Sequence, residues 1–130
     1  MDRIDGEIDG RISQQSETLT VSVDSCVLLS SDEYPDGRRQ IEAMQVLIMR
    51  SLEYGKMTVE RTGESHKVEA ALNPSGTIAL QPFELKLSLA NYSRHPTDWI
   101  NLRVISVNSD GLKESTYFYV PYQSPLEQNP

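Results

Sequence analysis

Apolar and polar residues alternate with a period of two over much of this chain. In FELKLSLANY, Phe83, Leu85, Leu87 and Leu89 share one face, while Glu84, Lys86 and Ser88 share the other, the signature of a half-buried β-strand. Runs rich in Val, Ile, Leu, Thr and Tyr are separated by YPDG at 34–37, TGES at 62–65, NPSG at 73–76 and NSDG at 108–111. Gly, Pro, Asn and Asp at such positions supply the dihedral angles that chain reversals need. The pattern predicts an all-β fold, an antiparallel β-sandwich of about 7–8 strands with extended N- and C-terminal arms.

The turns also predict register. If NSDG is a type I turn closed by a glycine bulge, Asn108 faces Leu112. Val104 then lies opposite Thr116, Leu102 opposite Phe118 and Ile100 opposite Val120, with Arg103–Tyr117 and Asn101–Tyr119 on the other face. One side is apolar and the other amphipathic, as a half-buried antiparallel pair requires. A two-residue turn at Gly63-Glu64 places Val59 opposite Val68 and Glu60 opposite Lys67, both favourable pairs. NPSG carries the chain from Leu72 towards Thr77.

Residues 38–54, RRQIEAMQVLIMRSLEY, admit two readings. Their Gln, Glu, Ala, Met and Leu content suits a helix that Gly55 would end, which would make the fold α+β. The PDG turn instead favours a long hairpin of 18–34 with 38–52, pairing Glu33 with Arg39, Cys26 with Val46 and Val23 with Met49. The ends differ from the middle. Residues 1–16 read as a polar, acidic N-terminal arm, 17–121 as the sandwich, and 122–130 as a Pro-rich tail. IDGE and IDGR at 4–11 make a brief local duplication.

Composition narrows the function. The 130 residues are 38% hydrophobic and 24% charged, in the range of a single globular domain. The first 36 residues hold nine acids against Arg3 and Arg11, the whole formal net charge of −7, while 37–130 are balanced. With no basic cluster beyond Arg38-Arg39, nucleic acid is not an expected ligand. No window reaches the roughly 18 apolar residues of a membrane span, and the start lacks a secretory apolar core. A cytoplasmic location, or one within an assembled particle, is therefore expected, with no membrane partner.

Candidate chemistry is sparse. Asp5, Glu7 and Asp9 occupy the first three ligand positions of a calcium loop over 5–16 and Gly10 its turn glycine, and this stretch resembles the loop of EF-hand and dockerin proteins. Ser16 stands where the bidentate acid belongs, so no metal is expected. One cysteine, Cys26, excludes a disulfide framework. Cys26 with His66 and His95 is the only material for a nucleophile–base pair, and no motif places them together. A small hydrolase is thus a distant alternative; no enzyme activity and no cofactor are expected.

The informative surface is the polar side of the last hairpin. Trp99, Asn101, Arg103, Tyr117 and Tyr119 should project together, with Tyr122 just beyond. Aromatic rings interleaved with amide and guanidinium groups have the composition of protein interfaces. The expectation is a non-enzymatic assembly or interaction module, joining a protein partner or further copies of itself through this face and the terminal arms. A subunit of a viral particle or appendage would be an example. A carbohydrate stacked on Trp99, Tyr117 and Tyr119 is the alternative.

Overall fold

The computed structural model describes residues 4–30, 39–72, 76–108 and 110–120. Eight strands run in the order β1 (Ile4–Gln15), β2 (Thr18–Ser30), β3 (Arg39–Ser51), β4 (Met57–Leu72), β5 (Thr77–Leu80), β6 (Phe83–Ser88), β7 (Asp98–Val107) and β8 (Lys113–Tyr119). They form two antiparallel sheets. In sheet A, β2 lies between β1 on one side and β5 and β6 on the other; sheet B has the order β4-β3-β7-β8. The expected all-β sandwich is present. The core between the sheets is built from Leu19, Val21, Val23, Cys26 and Leu28 of β2 facing Met44, Val46 and Ile48 of β3, with Ile100, Leu102 and Val104 of β7 beside them.

The last hairpin has the expected register: Val104 pairs with Thr116, Leu102 with Phe118, Arg103 with Tyr117 and Asn101 with Tyr119. Its reversal follows from local chemistry. Asn108 Oδ1 accepts from the backbone N–H groups of Asp110 and Leu112, 2.9 Å each. Gly111 then closes the turn at φ +82°, a region glycine enters without strain.

Residues 39–51 are a strand, so the helical alternative fails. β3 is central in its sheet and buries both faces: Met44, Val46 and Ile48 point into the core, and Leu47 and Met49 are buried on the opposite side. An apolar run without alternation cannot be told from a helix by periodicity. The expected hairpin of β2 with β3 is also corrected. These strands lie in different sheets: β2 pairs with β1, placing Cys26 opposite Ile8, while β3 pairs with β4 and β7. Cys26 meets Met44 across the core instead, Sγ to Sδ 4.0 Å. The YPDG turn, Glu33 and most of NPSG fall outside the described residues.

TGES is not a turn. β4 runs unbroken through it, with Val59 facing Met49 and Lys67 facing Ala43. Gly63 sits at a register shift where β4 passes close to β6: a Cβ there would lie 2.6 Å from Val46 Cγ1 and 2.8 Å from the Lys86 carbonyl oxygen. The glycine allows close approach rather than reversal. Glu64 Oε1 accepts from Lys86 N–H at 2.8 Å, joining the two sheets along this side.

The N-terminal stretch is not an arm. Residues 4–15 pair with β2 along their length, and the chain reverses at Ser16, whose φ is +56°. Ile4 and Ile8 enter the core, with Ile12 packed against it. Gly6 and Gly10 share their strand face by parity, and a Cβ on Gly6 would stand 2.9 Å from Leu28 Cδ2 and 3.5 Å from Phe118 Cε1. The IDGE–IDGR duplication is therefore an inward face of alternating Ile and Gly.

Candidate functional site

The outer face of sheet B gathers the residues singled out in the last hairpin. β3 supplies Leu47 and Met49, β7 supplies Trp99, Asn101 and Arg103, and β8 supplies Tyr117 and Tyr119 through the pairings Leu47–Asn101, Met49–Trp99 and Asn101–Tyr119. Tyr117 and Tyr119 are 46% and 56% exposed. Trp99 meets Tyr119 edge to face, centroids 5.2 Å apart and planes 62° apart. The Arg103 guanidinium lies 5.5 Å from the Tyr117 ring centroid, within reach of a cation–π attraction. Tyr122 falls outside the described residues.

A hollow of about 400 Å³ opens on this face, lined by Met49, Met57, Val59, Asn101, Tyr117 and Tyr119. Met57 and Val59 come from β4 and were not anticipated, because their approach to Met49 depends on the β3–β4 register. Asn101 forms part of the lining. It is 2% exposed, and its Nδ2 has no hydrogen-bond partner among the described residues. Arg103 Nε is likewise buried without a partner, although Nη1 reaches Gln45 Oε1 at 3.4 Å. A buried donor left unmatched costs about 1–3 kcal/mol, so this face holds hydrogen-bonding capacity that the described residues do not use.

Other titratable groups are engaged in holding the fold. Arg50 Nε donates to Asp98 Oδ1 at 2.7 Å, and Tyr92 Oη donates to Asp98 Oδ2 at 2.5 Å. The His95 backbone N–H is a third partner of Asp98 at 3.0 Å, and Arg50 Nη1 also pairs with Glu60 at 3.2 Å. Burial alone would raise the Asp98 carboxyl, yet these bonds, led by Arg50, hold it below its ordinary value. Burial and the bond to Asp98 push the Tyr92 phenol up to about 12. The cluster ties the 89–97 connection to β3 and β7.

The Cys–His combination is not assembled as a nucleophile and base. Burial pushes the Cys26 thiol up to about 11, the reverse of thiolate activation. His66 stacks on Phe83 at 4.1 Å, and His95 Nδ1 lies 2.9 Å from Thr97 Oγ1. The stretch compared with a calcium loop is strand β1 and its following turn, so Asp5, Glu7 and Asp9 lie along extended backbone at about 7 Å per two residues. Among the described residues no group of His, Cys, Asp and Glu could hold a metal ion, and no helix is long and apolar enough to cross a membrane.

The class these features define is a two-sheet antiparallel β-sandwich with an aromatic outer face on one sheet. Among solved structures it is similar to Spo0M, a sporulation control protein from Bacillus subtilis, with a TM-score of 0.51 and 11% identity over 92% of this chain. The chain spans about half of Spo0M, 48% of its length. It is also similar to the structural-genomics target SoR45 (TM-score 0.46, 13% identity, 99% of this chain and 94% of that one). The structural-genomics target BeR40 from Bordetella pertussis matches with a TM-score of 0.40 and 9% identity, over 94% of this chain and 97% of that one. At 11% identity the likeness to Spo0M extends to the fold alone. No family model and no curated protein matches the sequence.

Proposed function

We propose that this protein is a non-enzymatic association module that binds a protein partner through the outer face of sheet B, as assembly components do. The observation that carries the reading is the hollow lined by Asn101, whose amide is buried and unmatched among the described residues, beneath Tyr117 and Tyr119. A partner side chain seated in the hollow would pack on Met49, Met57, Tyr117 and Tyr119, and these would exclude water around the contact. The edge-to-face packing of Trp99 on Tyr119 offers no flat shared platform for a sugar ring, which favours a protein ligand over a carbohydrate. The acidic arm drops out of the mechanism, because residues 4–15 belong to sheet A.

Quantitative affinity capture from the source cells, paired with light scattering of the purified chain, tests this reading. Wild-type protein should hold a stoichiometric protein, or form an oligomer, that Trp99→Ala and Tyr119→Ala release by about tenfold or more. Association indifferent to both substitutions, or glycan binding abolished by them, would contradict it.

A further inference from the structure

The geometry points to the outer edge of β8, which no described strand covers, as the place where an extended, Lys- or Arg-bearing segment of a partner protein adds a strand to sheet B. This rests on the reading of the chain as an association module and supplies its mode of contact. β8 pairs only with β7 among the described residues. Val120 N–H donates to the Ile100 carbonyl at 3.2 Å, and Asn108 N–H donates to that of Leu112 at 3.0 Å. Both belong to the set in which Thr116 pairs with Val104 and Phe118 with Leu102. Backbone groups alternate sides along a strand, so the N–H and C=O groups of Ser115, Tyr117 and Tyr119 point away from β7 to the open edge.

Other outer strands are protected against pairing. β1 carries three acids and lies beside a bulged β2, β4 has three register shifts and several charges, β5 is four residues long, and on β6 the Lys86 N–H and the Ser88 carbonyl are taken by the Glu64 and Arg61 side chains. β8 has no register shift, no proline and no charge after Glu114. Edges of that kind accept strands.

A cleft of about 480 Å³ follows this edge, lined by Ile4 and Asp5 of β1, Arg39, and residues 114–118 of β8. The local charge selects the occupant. Arg39 is held by Glu114 at 3.1 Å and Lys113 by Glu42 at 3.2 Å. Glu7 and Asp9 on neighbouring β1 are exposed, with no cationic partner among the described residues. A second copy docked edge to edge would bring two such acidic strands together, whereas a basic segment meets complementary charge.

The probe is a soluble peptide of about ten residues alternating Lys and Val, a length that covers a strand of this kind, titrated into the full chain by fluorescence anisotropy. It should bind and weaken as salt rises, and its Glu–Val counterpart should bind about tenfold less tightly or worse. Ser115→Pro, which removes one outward amide and leaves the β7 ladder intact, should weaken binding by about tenfold, while Ser115→Ala, keeping that amide, should not. Amide exchange of unsubstituted protein gives the same answer without a variant: the Ser115, Tyr117 and Tyr119 amides should slow when the Lys–Val peptide is added.

Absence of binding up to about 1 mM, the weak end of measurable recognition, would overturn the proposal. So would equal affinity for the Glu–Val peptide, or no slowing at those amides. Dimers that Ser115→Pro dissolves would assign the edge to a second copy and overturn it too. Partner capture that Tyr119→Ala abolishes and Ser115→Pro spares would remove strand addition alone and leave association through the face standing.

Discussion

Single residues decide where this chain comes close to itself. Gly63 stands where a Cβ would meet Val46 Cγ1 and the Lys86 carbonyl, neither of which can swing aside as a surface side chain can. Gly63→Ala should therefore destabilise the fold by about 2 kcal/mol, as overpacking does, measured as a shift in denaturant midpoint at constant slope. The same glycine reads as turn chemistry in the sequence, because residue identity alone does not distinguish reversal from close approach. Gly6 and Gly10 mislead in a related way. By taking alternate inward positions they dilute the apolar signal of β1 to one isoleucine in four, and a core strand resembles a polar arm.

At the scale of elements, the β7–β8 hairpin was legible because its information is local. Asn108 and Gly111 set the turn, and the turn sets every pair up to Asn101–Tyr119. Gly111→Ala, which forces a Cβ at φ +82° with nothing nearby to clash, should cost about 1 kcal/mol through backbone strain alone. That β2 and β3 face each other from different sheets was not legible. Two apolar strands can pair side by side or face each other across a core, and their cross-strand pairs look equally favourable either way. The Arg50–Asp98–Tyr92 cluster was hidden too, since Arg50 stands 42 residues before Tyr92 and 48 before Asp98, and only the β3–β7 pairing brings it to them. Asp98 is held below its unfolded value of about 3.9. Its contribution to stability is therefore present above that pH and fades as pH falls through the lower native value. Asp98→Asn should lower stability at neutral pH by about 3 kcal/mol and flatten this acid limb in denaturation curves recorded between about pH 2 and 6. An unchanged acid limb in the variant would contradict the assignment.

The whole molecule presents two faces of different character. Sheet A turns Asp5, Glu7, Asp9 and the Arg11–Asp24 pair outward, while sheet B turns out Trp99, Tyr117 and Tyr119 above Met49 and Asn101. The aromatic members of the site followed from strand parity in the sequence. Its floor did not, because Leu47, Met49, Met57 and Val59 arrive through non-local pairing of β3 with β4 and β7. Tyr119→Ala should cost the folded chain only about 1 kcal/mol, the value of a lost aromatic contact, so loss of association in that variant would report on binding rather than folding. The association claim meets its most direct test in photocrosslinking within the source cells. A photoreactive phenylalanine at position 119 should yield a discrete covalent complex with a protein, and the same group at position 84, on the outer face of sheet A, should not. Crosslinking from position 84 with none from position 119 would contradict the account.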